Sequence, residues 1–152
     1  MNLKAYPSLG VHKRRRKLTS GLKLSIWTLR LDGIFLALAG STAMVSETVG
    51  HFVGIGPFAA TRGSAYTIGG FEAHGLAVII AVLLLRASSI AERKLWHTVG
   101  LSTHLFLGFA NILYWTSFVQ QEMVKIGIVT TILHIAFVVA HVTCLRVNQH
   151  NV

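Results

Sequence analysis

Four stretches of this chain run for about 20 residues or more with almost no charge, at about 24–49, 66–86, 95–115 and 123–145. A helix of that length reaches across the roughly 30 Å hydrocarbon core of a bilayer. Inside a bilayer the backbone must satisfy its own hydrogen bonds, so such segments fold as helices. The expected fold class is therefore all-α: a polytopic membrane protein built as a four-transmembrane-helix bundle spanning 24–146. Composition agrees, since 53% of the residues are hydrophobic and only 12% charged, where a soluble domain carries about 25% charge.

The charge is placed as a membrane protein would place it. Eight of the fourteen Lys and Arg residues fall in the first thirty positions, including Lys13-Arg14-Arg15-Arg16-Lys17. Residues 1–23 read as a basic cytoplasmic tail that meets anionic lipid headgroups, and 147–152 as a short C-terminal tail. With the N-terminus inside, Arg86, Arg93, Lys94 and Arg146 share its side, and only Arg62 and Lys125 lie opposite. The positive-inside rule then places both termini in the cytoplasm. The expected location is a bacterial inner membrane, crossed several times. A net charge of +9 concentrated in one tail next to a span does not point to nucleic acid. A lone cysteine, Cys144, excludes an internal disulfide and a Cys-rich metal motif.

Trp27, Trp96, Tyr114 and Trp115 stand at span ends, as interfacial anchors do. Gly33 and Gly40 share one face of the first span, and Gly100 and Gly108 recur in the third, at spacings that let helices approach closely. The six glycines between 50 and 70, with Pro57, mark a connection, with an interfacial piece expected around 52–60. Residues 117–125 are expected to form a plain turn.

The third and fourth spans each carry two histidines seven residues apart, His97 with His104 and His134 with His141. Seven residues are nearly two helical turns, so each pair shares a face. Counting depth from the span ends sets His97 level with His141, and His104 level with His134 nearer the midplane. These two rungs would line one seam, because a short turn makes the two spans neighbours. Asn111 extends the same face by a further seven residues. Asp32 falls near the inner rung and is expected to turn inward or to pair with a basic neighbour. Glu47 and His51 can pair at i and i+4 if the first helix continues that far. Glu72 and His74 are set near the deeper rung but point to nearly opposite sides of a helix.

Ionisable groups inside apolar spans are a functional hypothesis by default. Four chemistries fit these residues. A bis-histidine b-type haem could take His104 with His134, or His97 with His141; with rungs about 10.5 Å apart, room exists for one. A metal could draw on His104, His134 and His74. The seam could pass protons or hold a lipophilic quinone. It could also serve only as polar glue between helices in a subunit of a larger membrane complex. No nucleophile motif or phosphate loop is present, so a stand-alone enzyme is not the expectation.

Two segments carry a resemblance. Leu29-Arg30-Leu31-Asp32-Gly33-Ile34-Phe35-Leu36-Ala37-Leu38-Ala39-Gly40 opens the first span. Phe71-Glu72-Ala73-His74-Gly75-Leu76-Ala77, followed by Leu83-Leu84-Leu85-Arg86, forms the second. Both are similar to the DoxX-like family of small four-helix membrane proteins. The resemblance implies a membrane-redox neighbourhood, and hence an accessory protein that holds a quinone in its histidine-lined seam.

Overall fold

A computed structural model describes residues 20–149. Most of the basic tail lies outside the described residues, as do positions 150–152. The described chain is entirely helical: α1 Ser20–Val53, α2 Thr67–Ala87, α3 Lys94–Leu113, α4 Trp115–Gln120 and α5 Val124–Gln149, with one 3-10 turn at Ala59–Thr61. No strand occurs among the described residues.

α1 runs for 34 residues, about 51 Å, and so exceeds the expected first segment at both ends. Its stop has a local cause. Gly54 follows with φ +76°, and its N–H donates to the Val49 and Gly50 carbonyls at 3.2 and 3.0 Å. Glycine enters that left-handed conformation without a Cβ penalty. α4 takes up the end of the expected third segment and the first half of the expected turn. Glu122 closes α4 with φ 57°. Its N–H bonds the Val119 carbonyl at 3.2 Å, and Met123 bonds Phe118 at 2.8 Å, which is the Schellman pattern. α5 continues to Gln149, through part of the expected C-terminal tail.

α1 packs along α2, and α3 along α5; α1 then lies against α5 to join the two hairpins. At the α1–α2 contact the buried side chains are Leu29, Leu36, Ala81, Leu84 and Ala87. A Cβ on Gly33 would stand 2.7 Å from Leu85 Cγ and 2.9 Å from the Ala81 carbonyl oxygen. One on Gly40 would stand 2.8 Å from the His74 carbonyl oxygen. These glycines set how closely α1 and α2 approach.

The interior is polar and the surface apolar. Nine buried polar or charged residues outnumber six buried hydrophobic ones among the described residues, the reverse of a water-soluble domain. Large apolar side chains point outward on every long helix, such as Leu38, Ile79, Phe106 and Ile132. Two helices, Thr67–Ala87 and Val124–Val147, are long and apolar enough to cross a membrane. α1 and α3 are less apolar because they carry much of the buried polar set, including Ser25, Thr28, Asp32, His97 and His104.

Candidate functional site

Three helices each place one stripe toward a common axis. On α1 the stripe is Ser25, Thr28 and Asp32; on α3 it is His97, Gly100 and His104; on α5 it is His134, His141 and Cys144. Spacings of three, four and seven residues keep each stripe on one helix face.

The rungs expected from depth counting are the ones found. His97 and His141 meet Nδ1 to Nδ1 at 2.9 Å. His104 and His134 meet the same way at 2.8 Å. Asp32 joins the two rungs: Oδ1 lies 2.7 Å from His104 Nε2 and Oδ2 lies 2.8 Å from His141 Nε2. At the outer end Ser25 Oγ lies 2.7 Å from His97 Nε2. The six side chains form one continuous sequence of contacts, Ser25–His97–His141–Asp32–His104–His134. Asp32, His97, His104 and His141 are fully buried, and His134 is 7% exposed.

For an ionised carboxylate and four neutral imidazoles, one proton arrangement satisfies every link. An ionised carboxylate only accepts, and a neutral imidazole donates from one nitrogen and accepts at the other. With Asp32 ionised and all four histidines neutral, His141 Nε2–H and His104 Nε2–H donate to the carboxylate. Their Nδ1 atoms then accept from His97 Nδ1–H and His134 Nδ1–H. Ser25 O–H donates to His97 Nε2. Both arms point at Asp32, and His134 Nε2 is left as an acceptor with no partner among the described residues.

Packing fixes the rings. Phe137 stacks on His104 with centroids 4.8 Å apart, and Phe35 approaches His134 edge-on at 6.0 Å. A Cβ on Gly100 would run into the His141 ring and stand 3.0 Å from Asp32 Oδ2. Glycine at that position is what admits the imidazole beside the carboxylate. Cys144 donates to Thr28 Oγ1 at 3.4 Å on the same seam.

The remaining sequence candidates lie elsewhere. Asn111 donates to Thr130 and Thr131 hydroxyls at 3.1 and 3.2 Å, one layer beyond the inner rung. His74 is not brought to His104 and His134. Its Nδ1 lies 3.1 Å from Glu47 Oε2, because α2 packs on the neighbouring Gly33–Gly40 face of α1, with His74 beside Gly40. Glu72 is exposed. Glu47 and His51 do not pair although α1 extends past both; Glu47 is taken by His74, and the buried His51 Nδ1 has no partner in the described residues. A cavity of about 170 Å³ lies beside Glu47, Phe58 and Gln121.

The rungs do not fit a haem. A macrocycle with its iron must sit between two axial nitrogens, and here those nitrogens are in direct hydrogen-bond contact. Three groups could hold a metal ion: Asp32, His104 and His141, with ligand atoms within 4.8 Å of one another.

No family model, curated protein or solved structure matches this chain.

Sequence reasoning missed Ser25, Phe137 and the double role of Asp32. Ser25 stands seven residues before Asp32, and Phe137 lies between His134 and His141 at +3 and −4. The heptad spacing that exposes the histidines therefore carried a signal for both.

Proposed function

We propose that this chain is an integral membrane protein of four transmembrane helices, α1, α2, α3 and α5, which holds and relays a proton through the Asp32-centred seam. Both termini face the cytoplasm, and a bacterial inner membrane is its setting. The outward apolar side chains and the polar interior support four spans. The few cations in the opposite loops support the orientation. The resemblance to DoxX-like proteins supports a place as an accessory to a membrane redox complex, where protons are taken up and released.

One observation carries the relay: five consecutive hydrogen-bond contacts of 2.7–2.9 Å link six buried side chains across three helices. A proton arriving at His134 Nε2 lets Nδ1–H pass its proton to His104 Nδ1. His104 Nε2–H then passes its proton to Asp32 Oδ1. The chain gains one proton, the carboxylate becomes a carboxylic acid, and both histidines remain neutral. The Ser25 arm works the same way, through His97 and His141 to Oδ2. No ion is left uncompensated in either case, which matters where water is absent. Passage from one arm to the other requires imidazoles to turn, and that turn sets the throughput.

Liposomes loaded with a pH-sensitive dye test the reading. A potassium gradient with valinomycin supplies the driving force. Purified protein is expected to carry protons well above the lipid background, and Asp32→Asn to lower that rate at least tenfold while remaining helical by circular dichroism. Equal rates in protein-containing and empty vesicles would remove the relay.

A second reading keeps one foothold. His134 Nε2 is the only ring nitrogen of the four without a partner among the described residues, and it could bond a quinone carbonyl. A quinone co-extracted with the protein and lost in His134→Leu would support that role.

A further inference from the structure

We propose that Asp32, His104 and His141 form a binding site for one late first-row divalent cation, Zn²⁺ foremost, at the centre of the bundle. Each of the three residues offers one ligand atom, the three atoms lie within 4.8 Å of one another, and all three side chains are fully buried; His104 Nε2 and His141 Nε2 both face the carboxylate. Two imidazoles and a carboxylate are a donor set that zinc accepts in three-ligand sites, leaving one position open. Zinc–ligand bonds of about 2.0–2.2 Å put neighbouring donors about 3.3 Å apart. The contacts of 2.7 Å to Oδ1 and 2.8 Å to Oδ2 open by about half an ångström, and donors now up to 4.8 Å apart are drawn to about 3.3 Å, to admit the ion.

Two further observations favour a built site. A metal-bound histidine normally donates its other N–H to a fixed partner, which sets the tautomer and the ring plane. Here both are supplied: His134 Nδ1 faces His104 Nδ1 at 2.8 Å, and His97 Nδ1 faces His141 Nδ1 at 2.9 Å. The second observation is Gly100, whose missing side chain leaves space for the His141 ring next to Asp32.

The proton count closes. With Asp32 ionised and the four histidines neutral, each imidazole holds one proton. Binding needs bare Nε2 atoms on His104 and His141. Their protons move to Nδ1 and are donated outward to His134 and His97, which in turn become Nε2–H; His97 then donates to Ser25. Every imidazole changes tautomer, and no proton is gained or lost. The ion takes both nitrogens that the relay uses at Asp32, so an occupied site is closed to protons.

This inference uses the same centre as the relay but does not need proton movement. A chain that conducts and binds no cation contradicts the inference alone; a chain that binds Zn²⁺ and does not conduct contradicts the relay alone. Full-length protein in detergent is titrated with Co²⁺ as a visible reporter and then with Zn²⁺ in competition. One ion per chain is expected, with the intense visible bands of four-coordinate cobalt, lost on adding zinc. Asp32→Asn and His141→Gln are expected to weaken binding at least a hundredfold, and His97→Gln about tenfold through its hold on His141. His74→Ala is expected to bind as the wild type does. Variants are scored only if helical. X-ray absorption at the zinc edge of the wild type gives an independent readout, with two imidazoles expected in the first shell. No saturable binding by folded wild type, or a first shell without imidazole, would overturn the site, as would unchanged affinity in folded Asp32→Asn.

Discussion

α1 presents two adjacent faces, and they work by different physics. Toward α2 it offers Leu29, Gly33, Leu36 and Gly40, and the contact is close apolar packing. Toward α3 and α5 it offers Ser25, Thr28 and Asp32, and the contact is a closed hydrogen-bond network. On the proposed membrane reading there is little hydrophobic drive between these helices, so the first face depends on how near the backbones come. The second depends on every donor meeting an acceptor, because an unmet one is costly where water is excluded. A single helix thus couples a contact that tolerates no added volume to one that tolerates no missing atom.

The largest effect is expected from removing the centre of the polar face. Asp32→Leu leaves two buried N–H donors without acceptors, each costing about 1–3 kcal/mol of stability, read by chemical denaturation in detergent, with proton flux abolished. Next comes the apolar face. Gly33→Val drives two methyl groups against Leu85 and the Ala81 carbonyl and should cost about 1–3 kcal/mol. If the faces are independent, its proton flux per folded molecule stays at the wild-type rate. A proportional loss of flux would show that α1 transmits strain from one face to the other.

Depth along α1, α3 and α5 was legible in the sequence; the depth and docking face of α2 were not. Heptad spacing and counting from the span ends paired His97 with His141 and His104 with His134, since both depend only on the rise per residue. The same count set Asp32 beside the inner rung. It could not reveal that a carboxylate has two oxygens and reaches His104 and His141 together. His74 shows the limit from the other side. It was assigned to the inner rung, but α2 docks on the Gly33–Gly40 face of α1 and delivers His74 to Glu47, fifteen residues along α1 from Asp32. Which face a neighbour covers is decided by Gly33 and Gly40, and their spacing identifies a contact without naming its partner. α4 was hidden because six residues, Trp115–Gln120, are too few to show helical periodicity.

Smaller changes sharpen the contrast. Ser25→Ala removes the terminal hydroxyl of the network and should cost about 1 kcal/mol; flux should fall while His104 and His134 keep their contact. His74→Ala breaks a pair whose histidine side chain is 36% exposed and whose carboxylate is 8% exposed, so a loss of about 1 kcal/mol is expected, with flux unchanged. A fall in flux for His74→Ala would extend the relay to the far end of α1.

The most direct test of the hydrogen-bonded chain reads the protons themselves. Solid-state ¹⁵N NMR of histidine-labelled protein in bilayers, free of divalent cations and with Asp32 ionised, distinguishes Nδ1–H from Nε2–H at each ring, with single His→Gln variants giving the assignments. All four seam histidines should be neutral. His104 and His141 should carry the proton on Nε2, and His97 and His134 on Nδ1, the form that is in the minority for imidazole in water. A common tautomer at all four positions, or a charged imidazolium within the seam, would contradict a chain directed at Asp32.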